Sequence, residues 1–407
     1  MTTKKTACLV CRKIEVELLL DLGEQPLCNR FPKSAAEPEY THPMRWGACA
    51  SCGVAQLLSP PPAGELKPHC DWITYNEPEP HLDGLADRIL KMPGIGPNSA
   101  ICGVSPKDES LLRRLRERGV KNAWGIDPQN DLGESDSRAF VETVQTRLTV
   151  GAASAIAAIH GPADLVIARH IFEHCHEPTE FFEALKTLAK PGGRVLIEVP
   201  DCERAMRDSD YIMLWEEHSL YLTAGTFRAT IQTLGGAVEH FEEHPYALEN
   251  SLVAVAKLDA KQEPSAKSRD AALALARGFA AGLDEKRREL KSWAGGVLDV
   301  GGKIAVFGAG HLGTVWVNLM GLGAQISCFI DDNPNKKGLR MPGSRLPILG
   351  SDALDRENIT WALMAFNPES EDKVIAKNPA FIKRGGKFAS ILPGSPRALS
   401  VAVQVKL

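Results

Sequence analysis

Residues 163–201 read ADLVIARHIFEHCHEPTEFFEALKTLAKPGGRVLIEVPD. The run Ala163–Ala168 is short and apolar, as a strand buried on both faces would be. A polar turn rich in His and Glu follows. From Pro178 the stretch PTEFFEALKTLAK carries a helical pattern, with Pro at its start. The Pro-Gly-Gly at 191–193 breaks that pattern, and Arg194–Val199 is a second apolar run with an acidic end at Asp201. Strand, helix and strand in this order predict a parallel pair joined by a crossover helix.

Working outward, two more strand candidates lie upstream, at Ala100–Val104 and Ala123–Ile126, with the helical stretch SLLRRLRERG from Ser110 between them. The alternation predicts a parallel sheet covered by helices on both faces. Downstream, Lys261–Trp293 is long, charged and Ala-rich, a composition that favours helix. KIAVF, a Gly-rich turn, a helical run and QISCFIDD then begin a second α/β unit. The first 70 residues differ: they are rich in Cys and Pro, lack long periodic segments and end near SPPPAGEL. The expected class is α/β, with a zinc-binding domain over 1–70 followed by two Rossmann-like parallel-sheet domains over 71–260 and 261–407.

The 407 residues carry 47 Lys and Arg against 51 Asp and Glu, a net charge of −4, and 44% are hydrophobic. That balance excludes disorder and gives no electrostatic case for nucleic-acid binding. No window approaches 18 consecutive apolar residues, so no membrane span is expected. The start, MTTKKTACLV, lacks an apolar core followed by a cleavage site, and the expected location is cytoplasmic. Ten cysteines are too few for a disulfide scaffold in a chain of this length.

Four of those cysteines form two pairs, Cys8 with Cys11 and Cys49 with Cys52. Each CxxC places two thiolates on one turn, and two such turns complete a tetrahedron around zinc. Four protein ligands leave no open position, so the site would be structural, and its binding energy would be folding energy. A redox CxxC and a nucleic-acid-binding ribbon are the alternatives. Against the ribbon, Lys4, Lys5, Arg12 and Lys13 are balanced by Glu15, Glu17, Asp21 and Glu24.

Open α/β sheets bind ligands beyond the C-terminal ends of their strands. For a donor such as S-adenosylmethionine, the first strand should end in a Gly-rich turn and the second in an acidic residue for the ribose hydroxyls. The first turn, ICGVSPKDESLL, has Gly103 but no further glycine. AWGID ends at Asp127, either that ribose carboxylate or a turn residue before Pro128. The candidate donor contacts are Gly103, Ser105, Asp127 and Arg169. In the second α/β unit, GAGHLG supplies Gly308, Gly310 and Gly313, and Asp331 and Asp332 end the next strand 18 residues after Gly313. This is the context of a dinucleotide fingerprint, so NAD is one reading and another pyrophosphate-bearing ligand is the other. Lys336 and Lys337 could contact phosphate or form an exposed basic turn.

The segments CLVC, DLGEQPLCNRF and CASCGVAQL, then ARHIFEHCHEPTEFFEALKTLAKPGGRVLIEVPD and WEEHSLYLT, then VFGAGHLGT and IDDNPNKKGLRMPGSRLPI carry a resemblance. In that order, over nearly the whole chain, the sequence resembles the three-domain deoxysugar C-methyltransferases, which act on nucleotide-linked 4-ketosugars. The resemblance implies S-adenosylmethionine as methyl donor, a structural zinc, and a base that removes the proton α to the ketone before the enolate carbon attacks the methyl. Carried over, His218 is the first choice for that base. His174 is the alternative base or an enolate stabiliser, and Glu217 would orient or charge-balance an imidazole. Tyr75 corresponds to a family Tyr, and Trp215 stands where the family has another. The C-terminal domain would hold the acceptor's pyrophosphate, with Gly308, Gly310, Gly313, Asp331 and Trp215 as substrate contacts. The donor turn departs from the family pattern, with Pro106 and Glu109 near the usual Asn and Gly, and Glu109 is expected to crowd the donor.

Read by their local pattern alone, His170 and His174 could share a helix face as a polar pair, and Glu216 and Glu217 could form a solvated face. Two rival functions keep the architecture: an NAD-linked or otherwise diverged sugar-modifying enzyme, and a non-catalytic scaffold that binds a nucleotide sugar. The expected partner in each case is a small molecule, with neither nucleic acid nor membrane. The oligomeric state has no signature in the sequence.

Overall fold

The computed structural model describes residues 6–70, 72–73, 77–136, 138, 140–258, 260 and 262–400. They fall into two compact units, each built from separated stretches of chain. One comprises Met1–Leu19, Arg45–Glu203 and Glu217–Ala276, the other Leu20–Met44, Arg204–Glu216 and Arg277–Leu407.

The chain begins with β1 (Val16–Pro26), β2 (Thr41–Cys49) and β3 (Ala55–Leu57). β2 pairs antiparallel with β3, and β3 with a later short strand, β8 (Leu220–Tyr221), so that Ala55 faces Tyr221. The main sheet of the first unit contains β4 (Ala100–Gly103), β5 (Asn122–Gly125), β6 (Ala163–Arg169) and β7 (Ala189–Asp201). β9 (Ala237–His244) and β10 (Asn250–Lys257) complete it, in the order β5-β4-β6-β7-β10-β9. The first four strands are parallel, as the sequence pattern predicts, while β10 runs antiparallel to both β7 and β9.

β6 shows why its sequence lacks polar alternation. Leu165 and Ile167 pack into one core cluster, and Val166 and Ala168 into the cluster on the other face. The helix Glu109–Glu117 lays Leu111, Leu112 and Leu115 on the first of these. The helix Pro178–Leu188 lays Phe181, Phe182, Leu185 and Leu188 on the second. Each large side chain buried in this way contributes about 1.5–3 kcal/mol. The residues just past β4, β5, β6 and β7 share the C-terminal edge of the parallel strands, where ligands of such sheets bind.

The second unit holds β11 (Ile304–Phe307), β12 (Ile326–Ile330), β13 (Ile348–Leu349), β14 (Trp361–Met364) and β15 (Lys387–Ser390). Their order is β13-β12-β11-β14-β15, and every pairing is parallel. The predicted Ala-rich helix spans Ala266–Asp299. Stretches distant in sequence join this unit: the Arg340 N–H donates to the Pro32 carbonyl at 2.8 Å, and Tyr211 stacks on Phe279 at 4.4 Å. Among the described residues, no helix is long and apolar enough to cross a membrane.

Candidate functional site

The two CxxC turns close in the same way. The Arg12 N–H donates to the Cys8 carbonyl at 3.0 Å and the Gly53 N–H to the Cys49 carbonyl at 2.8 Å. Arg12 and Gly53 both adopt left-handed backbone, with φ of +62° and +79°. At Gly53 a Cβ would also lie 3.0 Å from the Arg269 backbone. The turns bring Cys8 Sγ within 3.6 Å of Cys52 Sγ, and Cys11 Sγ within 3.6 Å of Cys49 Sγ. Zinc–thiolate bonds of about 2.3 Å in a tetrahedron require sulfurs about 3.8 Å apart. The four thiols therefore fit zinc with little adjustment. The hydrogen bonds among the four thiols pull Cys49 down and push Cys8 and Cys52 up, as expected where close sulfurs share one negative charge.

At the donor edge, the turn after β4 is organised by a residue that the sequence reading passed over. Asp108 is fully buried; its Oδ2 accepts the Val104 and Ser105 N–H groups and its Oδ1 the Arg169 N–H, each at 2.8 Å. Burial pushes Asp108 up to about 7, against the pull of these donors and of Arg169. Glu109, one position later, is exposed and pairs with Arg116 at 2.8 and 2.9 Å. The expected crowding of the donor by Glu109 is therefore not what the structure shows, because the helix start turns its side chain outward. Gly103 is required by Asp108 itself, since a Cβ there would lie 2.7 Å from the Asp108 Cβ. The Ser105 hydroxyl accepts the Lys107 N–H at 3.2 Å. Asp127 stands exposed beyond β5, its Oδ1 accepting the Gln129 and Asn130 N–H groups at 2.9 and 2.8 Å. The Arg169 guanidinium turns inward, from Nε to Glu198 Oε2 at 2.5 Å and from Nη1 to the Lys107 carbonyl at 2.8 Å.

Beyond β6 the chain makes a short 3₁₀ turn, Phe172–His174. His174 Nδ1 lies 2.5 Å from Glu142 Oε1, and its ring meets His218 edge to face with centroids 4.7 Å apart. The Ser219 N–H donates to the Glu173 carbonyl at 2.8 Å, tying the His218 segment to this turn. Ligand-type atoms of Glu142, His174 and Glu217 all lie within 4.8 Å of one another, as do those of Glu173, His174 and His218. The structure thus gathers the predicted His174, His218 and Glu217 and adds Glu142 and Glu173. His218 is half-buried and the others are buried. His170 and His174 do not share a helix face: His170 takes left-handed φ of +47° and points Nε2 at Glu198, 3.1 Å away. Tyr75 lies outside the described residues.

Glu198 is the hub of a second buried network. Besides Arg169 and His170, its Oε1 accepts the Ser251 hydroxyl at 2.5 Å and lies 3.0 Å from His81 Nε2. Burial favours the neutral acid, yet Arg169 and His170 outweigh it and hold Glu198 well below the carboxylate range. Burial likewise opposes charge on His170, but Glu77 and Glu198 push its pKa well above the ordinary value. Replacing Glu198 by Gln strands these cations, and urea unfolding near neutral pH should read a loss of about 3–5 kcal/mol. The sign of the pH dependence follows from both shifts. The His170 contribution is fully present below about pH 6.5 and is lost as pH rises through its folded pKa. The Glu198 contribution is present above about pH 4.3 and is lost as pH falls through its own. The difference between wild type and variant should therefore shrink at both extremes. A lone acid inside the apolar run VLIEVP was the sequence signal for this network.

In the second unit, Gly308 has φ of +110°, and a Cβ there would lie 2.7 Å from the Ala365 carbonyl oxygen. At Gly313 a Cβ would meet the Gly308 oxygen at 2.8 Å, whereas Gly310, at the start of the helix His311–Met320, has open space around it. Asp331 Oδ2 accepts the Ala309 N–H at 3.0 Å and Lys336 Nζ at 3.1 Å, and Oδ1 accepts the Asn333 N–H at 2.9 Å. Trp215 stacks on His311 with centroids 4.4 Å apart. Glu216 and Glu217 are buried rather than solvated, and Glu216 accepts the Cys28 N–H at 2.5 Å.

Three family models match the chain in order. Residues 8–66 match a zinc binding domain, 81–240 a methyltransferase domain and 232–393 a C-methyltransferase C-terminal domain. C-methyltransferase NovU of Streptomyces niveus is 24% identical over 411 residues, covering 97% of this chain and 96% of that protein. A tRNA U34 carboxymethyltransferase of Idiomarina loihiensis is 29% identical over 133 residues, 31% of this chain and 37% of that protein. Among solved structures, magnesium protoporphyrin IX methyltransferase of Synechocystis matches at 15% identity and a TM-score of 0.31, covering 44% of this chain and 82% of that one. The three models in sequence, the cysteine tetrad and the parallel sheet converge on one assignment: the chain belongs to the S-adenosylmethionine-dependent C-methyltransferases that join a zinc-binding domain to a methyltransferase domain and a Rossmann-like C-terminal domain.

Proposed function

We propose that this C-methyltransferase methylates a carbon α to the ketone of a nucleotide-linked sugar, through an enolate. The observation that carries the reading is the cluster of two imidazoles and three carboxylates around His174, past the end of β6. A carbon acid needs both a positioned base and a donor to its developing oxyanion, and this cluster has groups for each role.

S-adenosylmethionine supplies an electrophilic methyl on its sulfonium. His218, half-buried and so reachable, accepts the α proton. The electron pair of the broken C–H bond moves into the enolate, then forms the new carbon–carbon bond as the carbon–sulfur bond breaks. The proton on His218 leaves to solvent. Asp127 is assigned to the donor's ribose. In the second unit, the helix start at Gly310 offers backbone approach and N–H groups suited to the pyrophosphate that a nucleotide-linked sugar carries. Asp331, already engaged with two backbone N–H groups and Lys336, is poorly placed to bind a ribose diol as a dinucleotide would require.

The test uses zinc-loaded protein, methyl-13C S-adenosylmethionine and a nucleoside-diphosphate 4-ketosugar. The expected product carries the label on carbon, and in heavy water without donor the α proton exchanges. Label on oxygen or nitrogen, or no exchange, sinks the enolate reading.

A further inference from the structure

Glu142 is not part of any sequence motif, yet it makes a close polar contact with the candidate machinery. It lies on the helix Val141–Arg147, is 3% exposed, and sets Oε1 2.5 Å from His174 Nδ1. We propose that Glu142 is a positioning residue that keeps His174 as a hydrogen-bond donor and so leaves proton removal to His218. The proposal rests on the enolate reading above.

A carboxylate only accepts hydrogen bonds, so His174 Nδ1 carries the hydrogen between them. The 2.5 Å separation is that of a close hydrogen bond. Glu142 Oε2 is buried with no hydrogen-bond partner among the described residues, a costly placement. The groups facing His174 are Glu142 on its helix, Glu173 in its own turn, Glu77, Glu217, and the imidazoles of His218 and His176. Burial works against a charged ring, but Glu142, Glu173 and Glu77 outweigh it, and the His174 pKa is raised. With its hydrogen held on Nδ1 and its charged form favoured by the carboxylates around it, the ring is biased toward donating hydrogen bonds rather than taking up the acceptor's proton. It can instead face the oxygen on which the enolate charge develops. Two histidines of the same type thus acquire different roles from one carboxylate.

Glu142→Gln keeps a hydrogen-bond acceptor and removes the charge. In wild type, NMR titration of the His174 ring should give a midpoint above the ordinary value of about 6.5. In the variant the midpoint should fall, while calorimetry gives S-adenosylmethionine affinity within about twofold of wild type. With ketosugar, kcat should fall by about 10²-fold, and the alkaline limb of the pH profile should move to lower pH. Glu142→Asp, which retains the charge, should bring that limb back toward wild type. A merely structural role would lower stability without moving the limb. An unchanged His174 midpoint in Glu142→Gln, or an unmoved limb, overturns the proposal. If wild type methylates no ketosugar carbon, the enolate reading fails, while the His174 titration still decides the Glu142 pairing.

Discussion

His218→Ala should lower the rate of carbon methylation by about 10²–10⁴-fold while S-adenosylmethionine still binds. That range is what a positioned acid or base contributes to proton transfer. His218 is half-buried, unlike His174, and its ring packs edge-on against His174 and against Tyr221, at centroid distances of 4.7 and 6.3 Å. Truncation to Ala removes the proposed base without touching Asp108, Arg169 and Glu198, which organise the turns past β4 and β6. Steady-state kinetics with a ketosugar acceptor, beside donor titration, separates the two effects. Loss of α-proton exchange in heavy water should accompany the loss of rate. A variant that still exchanges that proton at the wild-type rate would remove His218 from the role of base and return it to His174.

The second large effect concerns the metal. Cys49→Ser should abolish zinc retention and unfold the N-terminal segment around it. Apparent zinc binding in four-ligand sites is worth about 10–16 kcal/mol at neutral pH, and it is inseparable from folding. Cys49 is fully buried, its N–H donates to the Val54 carbonyl at 2.9 Å, and its Sγ sits 3.6 Å from that of Cys11. Serine offers a poor ligand at this position and leaves three thiols crowded without their counter-ion. Metal analysis after dialysis, with thermal unfolding of the same samples, reads both consequences. Cys102→Ser provides the comparison, since Cys102 is equally buried in β4 but takes no part in the tetrad. One zinc per chain in Cys49→Ser, with an unchanged melting temperature, would contradict the assignment.

The features read directly from the sequence are those fixed over a few residues. β6 and β7 announce themselves because both their faces are buried, which removes polar alternation. The zinc pairs are visible because a CxxC turn places its own two thiols. GAGHLG is visible because a close turn at Gly308 and close packing at Gly313 exclude a side chain. His174, His218 and Glu217 were nominated through the family resemblance, not through their pattern, which was equally compatible with a polar pair and a solvated face.

Other features depended on the direction of a single side chain or on distant partners. Asp108 and Glu109 are adjacent acids in one turn, yet the start of the helix Glu109–Glu117 sends one into the core and the other to Arg116. Arg169 braces the turn after β4 against Glu198, 29 positions away, a role its neighbours in sequence do not reveal. Glu142 reaches His174 across 32 positions, and Cys28 reaches Glu216 across 188. Periodicity and motif spacing are properties of neighbouring residues, so the sequence by itself determined the α/β class, the parallel strands β4–β7, β11 and β12, the cysteine tetrad and the glycine turn. Which carboxylate faces which histidine is set by how helices dock on the sheet and how distant loops meet at its edge. Only the tertiary structure decided that, because the hydrogen bonds and charge pairs of the cluster exist only once those elements have packed.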